Sequence, residues 1–279
     1  MLHVMGIGYK KEHLSLEMIN VLKEADEVFL EYYTSFYGSS FEELEELVGK
    51  KITICDREII ESKVEEVILK PAKEKSIVLM VIGDPLVATT HTDLLLRAED
   101  LEVEAQVYHN VSIANFIART GLQFYKFGKI TSIPFFSEKF MPRTPYMVYL
   151  DNHKMGAHSL FLLDLNPSND IANKGHDKYL SAGKSLQFLL DVPKLMLENE
   201  EIEEKDTLAL DEEDRAIICS RLGHKDEKIV YGSMKDLIAF DSEHMLKEPL
   251  CLIIPGDLHE MEENYLSQFQ ISKFKSYQE

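Results

Sequence analysis

The sequence predicts an α/β protein built of two α/β domains, and three observations carry that expectation. Short apolar runs alternate with amphipathic stretches through roughly the first 120 residues, the pattern of strands and helices folded into a mostly parallel sheet. One run, Ile77-Val78-Leu79-Met80-Val81-Ile82, is unbroken, as a strand buried on both faces requires. Beyond about residue 129 the strand-like runs are spaced differently, which marks a second domain. The expected division is residues 1–125 and 126–279, with ligand expected between the domains or beyond the carboxyl ends of the first sheet.

The elements follow in order. Strands are expected over 2–8, 27–31, 51–55, 76–82 and 103–108. Between them, a helix over 14–25 places Leu14, Met18, Val21 and Leu22 on one face. A second, over 41–48, has Ser39 or Ser40 to cap it and Glu42 and Glu43 in its first turn, where the dipole favours acids. Two more are expected over 62–73 and 92–101. In the second half, strands are expected over 130–135, 159–165, 215–220, 228–231 and 250–254, with one long helix over 179–197 that tolerates Pro193. Residues 138–156 read as a loop, and 198–214 as an exposed acidic connection.

With 45% hydrophobic and 28% charged residues, the 279-residue chain has the composition of a soluble globular protein. Its longest apolar runs are too short to cross a bilayer, and Met1-Leu2-His3-Val4 runs straight into a strand, so a cytosolic location is expected. The net charge of −19 argues against nucleic acid and anionic membrane as partners and favours a cationic ligand or a basic protein surface. Cys55, Cys219 and Cys251 have no metal-ligand spacing and are expected as reduced core thiols.

Three strand-end loops carry the chemistry. Gly6-Ile7-Gly8 closes the first strand, but Lys11 stands where a dinucleotide fingerprint needs its third glycine. Gly83-Asp84-Pro85 opens a longer loop ending in Thr90-His91-Thr92-Asp93. Its glycine permits close backbone approach, Asp84 offers acceptors to an amine or ribose, and Thr90 or Thr92 is placed to cap the next helix. His91-Thr92-Asp93 also admits a metal reading, which no further His or Cys cluster supports. His109-Asn110-Val111-Ser112-Ile113 follows the fifth strand, with Asn110 or Ser112 as a cap and backbone amides facing a ligand. Two decoys fail on spacing. Gly183-Lys184-Ser185 lacks the first P-loop glycine, where Lys178 stands, and His259-Glu260-Met261-Glu262-Glu263 ends in Glu where a zinc helix needs His.

Together these loops resemble those of the diphthine synthase family, within the tetrapyrrole methylase superfamily. The resemblance is carried by Met5-Gly6-Ile7-Gly8, Glu31-Tyr32-Tyr33-Thr34-Ser35, Asp56-Arg57-Glu58 and the run from Gly83 to Leu94. It continues with His109-Asn110-Val111-Ser112-Ile113, Gly121-Leu122-Gln123-Phe124-Tyr125-Lys126-Phe127-Gly128, Arg221-Leu222-Gly223 and Pro255-Gly256-Asp257-Leu258-His259. It implies a homodimer of two-domain subunits that takes S-adenosyl-L-methionine in the cleft between the domains. Its implied cofactor contacts are Tyr9, Asp84, Val87, Ser112, Ile113, Leu163, Leu222 and His259. The family usually has Leu at position 9 and small or acidic residues in place of Lys10 and Lys11, and Ser181–Ser185 differs from its usual pattern.

The implied reaction is repeated methylation of the 3-amino-3-carboxypropyl-histidine of translation elongation factor 2. Length and the Glu31–Ser35 motif lean towards the eukaryotic type, which adds a fourth, ester-forming methyl. The alternatives are a corrin or other tetrapyrrole methylase, against which Tyr125-Lys126-Phe127-Gly128 speaks, and a catalytically silent cofactor-binding scaffold, against which the intact loops speak.

Overall fold

The computed structural model describes residues 1–137, 139–165, 179–207 and 209–274. The chain forms two compact units, one of Met1–Phe116 and one of Ile117–Leu165 with the described residues from Tyr179 onward.

The first unit is a five-stranded, wholly parallel sheet. Its strands are β1 (Leu2–Gly6), β2 (Glu27–Glu31), β3 (Thr53–Cys55), β4 (Ile77–Val81) and β5 (Ala105–Tyr108), in the spatial order β3-β2-β4-β1-β5. Alternate side chains along each strand enter two separate cores. Leu2, Val4, Phe29, Ile77, Leu79 and Val81 face one, while Met5, Val28, Leu30, Val78 and Met80 face the other. This is why the run over 77–82 carries no polar residue. Fully burying each such side chain stabilises the fold by about 1.5–3 kcal/mol.

Helices α1 (Leu16–Glu24) and α2 (Phe41–Val48) cover the second of these faces with Met18, Leu22, Leu44 and Val48. Ser15 caps α1. Ser40 and Glu43 form a reciprocal capping box on α2, with Glu42 and Glu43 in its first turn as expected. Helix α3 (His91–Asp100) lies on the other face through Leu94 and Ala98. Thr90 precedes it but makes no side-chain cap, contrary to the expected role; Thr89 Oγ1 instead accepts from the His91 amide. The helix expected over 62–73 is replaced by two wide turns, Glu58–Ser62 and Glu65–Leu69, and a tight one at Pro71–Lys73. Each wide turn closes with an amide bonded five residues back, Lys63 to Glu58 and Lys70 to Glu65. Pro71 lacks the amide that would continue the ladder.

The second unit has a mixed sheet of β6 (Thr131–Ile133), β7 (Ser159–Leu163), β8 (Arg215–Ser220), β9 (Lys228–Ser233) and β10 (Leu250–Ile254), in the order β6-β7-β10-β8-β9. Only β6 and β7 run parallel. The short α4 (Ile113–Phe116) belongs to the first unit; α5 (Thr144–Lys154), α6 (Ala182–Glu198), α7 (Glu204–Thr207), α8 (Met234–His244), α9 (Glu260–Leu266) and α10 (Ile271–Phe274) belong to the second. Helix α5 corrects the expected loop over 138–156. Pro145 sits in its first turn, where its missing N–H costs nothing, and Tyr146, Tyr149 and Leu150 are buried. Glu138 lies outside the described residues, as does Lys178. The Gly183-Lys184-Ser185 decoy is the start of α6, capped by Ser181.

All three cysteines are free and buried. Two of them are neighbours: Cys219 and Cys251 are register partners on β8 and β10, and the hydrogen bond to Cys251, with burial, holds the Cys219 thiol well above its ordinary range.

Candidate active site

Parallel strands end together, so the loops after β1, β4 and β5 meet at one edge of the first sheet. Gly8 and Gly83 join two of them by a reciprocal pair of backbone hydrogen bonds, 3.1 Å and 2.9 Å. Both hold left-handed backbone, φ 60° and 84°, which a side chain strains. A Cβ on Gly8 would stand 2.6 Å from the His13 ring. One on Gly83 would face the Tyr9 ring at 3.7 Å and Ser112 Cβ at 3.8 Å, which brings Tyr9, the 83–85 turn and Ser112 to one place.

Asp84 is the fastener of this arrangement. Its Oδ2 accepts from His109 Nδ1 at 2.9 Å and from the Asn110 amide at 3.1 Å, and its Oδ1 accepts from the Leu86 amide at 2.9 Å. The carboxylate is buried, and these bonds commit both of its oxygens to shaping the loops. Asn110 is a second fastener that the sequence shows only as a helix cap. Its Nδ2 donates to the carbonyls of Gly6 and His13, tying the third loop to the first.

Tyr9 is buried and stacks on Phe116, with ring centroids 5.4 Å apart, and its amide donates to His13 Nδ1 at 3.1 Å. The Tyr9 ring is thus accommodated inside the core. His13 and Phe116, which pack against Tyr9 and each other, are partners that sequence reasoning misses, because one sits in a polar run and the other in a four-residue helix. Ser112 is buried and its Oγ has no hydrogen-bond partner, while its amide is taken by Asn115 Oδ1. An unpaired hydroxyl costs desolvation energy unless a ligand satisfies it. Ile113 is half-buried beside it, and Val87 is partly exposed on its loop.

The remaining three expected contacts belong to the second unit. Leu163 ends β7 and Leu222 follows β8, both buried. His259 is exposed and caps α9, its Nδ1 accepting from the Met261 amide at 3.2 Å. The decoy stretch therefore starts a helix, but Glu262 within it is not solvated: it is 1% exposed. Its Oε1 accepts from the Gln123 amide (2.8 Å) and His158 Nε2 (3.0 Å). Its Oε2 accepts from Lys126 Nζ (2.6 Å) and the His259 amide (2.8 Å). Burial by itself pushes this carboxyl up, but the donors outweigh it and bring it to about 2. His158 accepts from the Gly256 amide through Nδ1, and burial lowers it below its ordinary range, keeping it neutral. One carboxylate thus joins the Tyr125–Gly128 and Pro255–His259 segments, which the sequence separates widely.

The chain as a whole is similar to known proteins. The family model of tetrapyrrole (corrin/porphyrin) methylases matches residues 1–238. The chain is 38% identical to a diphthine synthase of Methanocaldococcus jannaschii, across 95% of this chain and 97% of that one. It is 36% identical to a diphthine methyl ester synthase of Kluyveromyces lactis, across 96% and 90%. A crystal structure described as a putative diphthine synthase from Entamoeba histolytica superposes with a TM-score of 0.82 at 32% identity, covering 97% of this chain and 98% of that one. With its strand-end loops and both sheets in place, the chain belongs to the diphthine synthase family of the tetrapyrrole methylases.

Proposed function

We propose that this chain is a methyltransferase that takes S-adenosyl-L-methionine at the loops after β1, β4 and β5. Its acceptor is the 3-amino-3-carboxypropyl-histidine of translation elongation factor 2. The observation that carries the cofactor placement is Ser112 Oγ, a buried hydroxyl without a partner, next to the space that the side-chain-free Gly83 leaves before Tyr9. The bound cofactor supplies a methyl already activated on a sulfonium. The protein's share is to hold donor and acceptor in line and to keep water out. Tyr9 and Ser112 line the place and Ile113 follows them in the chain as the contact the resemblance implies, while Asp84 and Asn110 hold its walls through the bonds described above. Leu163, Leu222 and His259 are retained as the contacts of the second unit that the family resemblance implies.

The acceptor follows from the family names and from charge. A net charge of −19 suits a basic protein surface, and the histidine-bearing tip of a translation factor works against RNA. Relatives of both types match over nearly the full chain, and its length with the Glu31–Ser35 motif leads us to the ester-forming type, with a fourth methyl on the carboxylate. No described helix is long and apolar enough to cross a membrane. We take the enzyme to be a cytosolic homodimer.

Ser112→Ala tests the placement. Removing an unsatisfied hydroxyl leaves the melting temperature of the free protein unchanged or slightly raised. Calorimetric affinity for S-adenosyl-L-methionine falls about fivefold, the equivalent of one hydrogen bond. Unchanged affinity would place the cofactor elsewhere.

A further inference from the structure

Two motifs that stand apart in the sequence, Glu31-Tyr32-Tyr33-Thr34-Ser35 and His91-Thr92-Asp93, meet inside the first unit. Glu31 ends β2 and is 0% exposed; His91 opens α3 and is 4% exposed. His91 Nε2 lies 3.1 Å from Glu31 Oε2, a buried oxygen that has no hydrogen-bond partner of good geometry, and His91 Nδ1 lies 3.2 Å from the carbonyl oxygen of Pro85. Thr34 Oγ1 donates to the other oxygen of Glu31, and Thr89 Oγ1 donates to the same Pro85 carbonyl at 2.7 Å.

Hydrogen-bond logic fixes the protons. A carbonyl oxygen only accepts, so His91 Nδ1 carries a hydrogen. The second ring nitrogen then faces a carboxylate oxygen, and two lone pairs at that distance repel unless a proton stands between them. The held loop is also strained: Ala88, three residues past Pro85, has φ 56°, left-handed backbone that a non-glycine residue keeps only where its surroundings impose it.

We propose that Glu31 and His91 share one buried proton and act as a positioning pair, fixing the carbonyl of Pro85 and with it the 83–88 turn in its cofactor-binding shape. Neither residue touches the reacting atoms. Their work is to transmit the end of β2 to the loop after β4, which gives the motif around Glu31 and the histidine of the 91–93 run a joint role. This inference rests on the cofactor reading of the same loop.

The experiment compares calorimetric dissociation constants for S-adenosyl-L-methionine in wild type, Glu31→Gln and Glu31→Leu, with nitrogen-15 NMR of the His91 ring. Gln keeps an acceptor for Thr34 and offers an N–H to His91 Nε2, so it preserves the arrangement without a charge. It should bind within about twofold of wild type, while Leu, which leaves a buried ring nitrogen unpaired, should bind about tenfold more weakly. The NMR should show His91 Nδ1 protonated. If wild type fails to bind, the cofactor reading falls and this inference with it. If wild type binds and Leu binds equally well, or Gln is as weak as Leu, the inference alone is overturned. An unprotonated Nδ1 overturns it even where Glu31→Leu does not fold.

Discussion

Gly83 and Asp84 are neighbours with different tasks, and variants at either disturb more than ligand contact. Gly83 is demanded by its backbone, since φ 84° strains any side chain by about 1–2 kcal/mol. Asp84 has three donors on its carboxylate, so Asp84→Ala leaves the His109 ring and two amides without their acceptor. Each net hydrogen bond is worth about 1 kcal/mol. Asp84→Ala is therefore expected to lower stability by about 2–3 kcal/mol and to weaken cofactor binding in the same variant, as chemical denaturation and calorimetry will show. Stability equal to wild type would mean that the carboxylate does not hold the loops. The sequence makes Asp84 visible as an acceptor but not its donors, because His109 and Asn110 come to it only through the pairing of β1 with β4 and β5.

At the scale of elements, α9 shows what local sequence leaves out. Glu260, Glu262 and Glu263 read alike along its first turn, and all three suit a helix start. Only tertiary contacts with Gln123, Lys126 and His158 make Glu262 a buried acceptor. Its folded carboxyl takes a proton near 2, while an unfolded one does so near 4.5. The folded state thus binds fewer protons, and this group's stabilisation, on the order of 3 kcal/mol, is whole above 4.5 and lost as pH falls towards 2. His158, lowered by burial, acts in the same direction, its contribution declining as pH falls below 6.5. Glu262→Gln should melt lower than wild type at neutral pH and lose less between 4.5 and 2. Parallel melting curves across that window would refute the assignment.

Periodicity located the strands because both sheets bury long apolar faces; β8 and β10 have the bounds expected around their apolar runs. It failed where turns depart from ideal spacing. The wide turns at Glu58–Ser62 and Glu65–Leu69 place Ile60, Val64, Ile68 and Leu69 in the core at intervals that also fit one straight helix. It failed again at α5, whose two prolines nearby read as loop signals although Pro145 only starts the helix.

At the scale of the whole molecule, a wholly parallel sheet gathers three loops at one edge, and the first unit spends its polar residues there. Asp84, Asn110 and the Glu31–His91 pair fasten the loops to one another, and Ser112 is left with a hydroxyl to offer. The loops were legible as motifs; that Asn110 laces rather than caps, and that Glu31 meets His91, was not, since each pairing crosses between strands. The measurement that bears most directly on the enzyme is transfer of labelled methyl from S-adenosyl-L-methionine to purified elongation factor 2, with intact-mass analysis of the product. Label is expected only in factor whose histidine already carries the aminocarboxypropyl group, reaching a fourth methyl that mild alkali removes as an ester. Equal labelling of a histidine-substituted factor, or none in the modified one, would contradict the account.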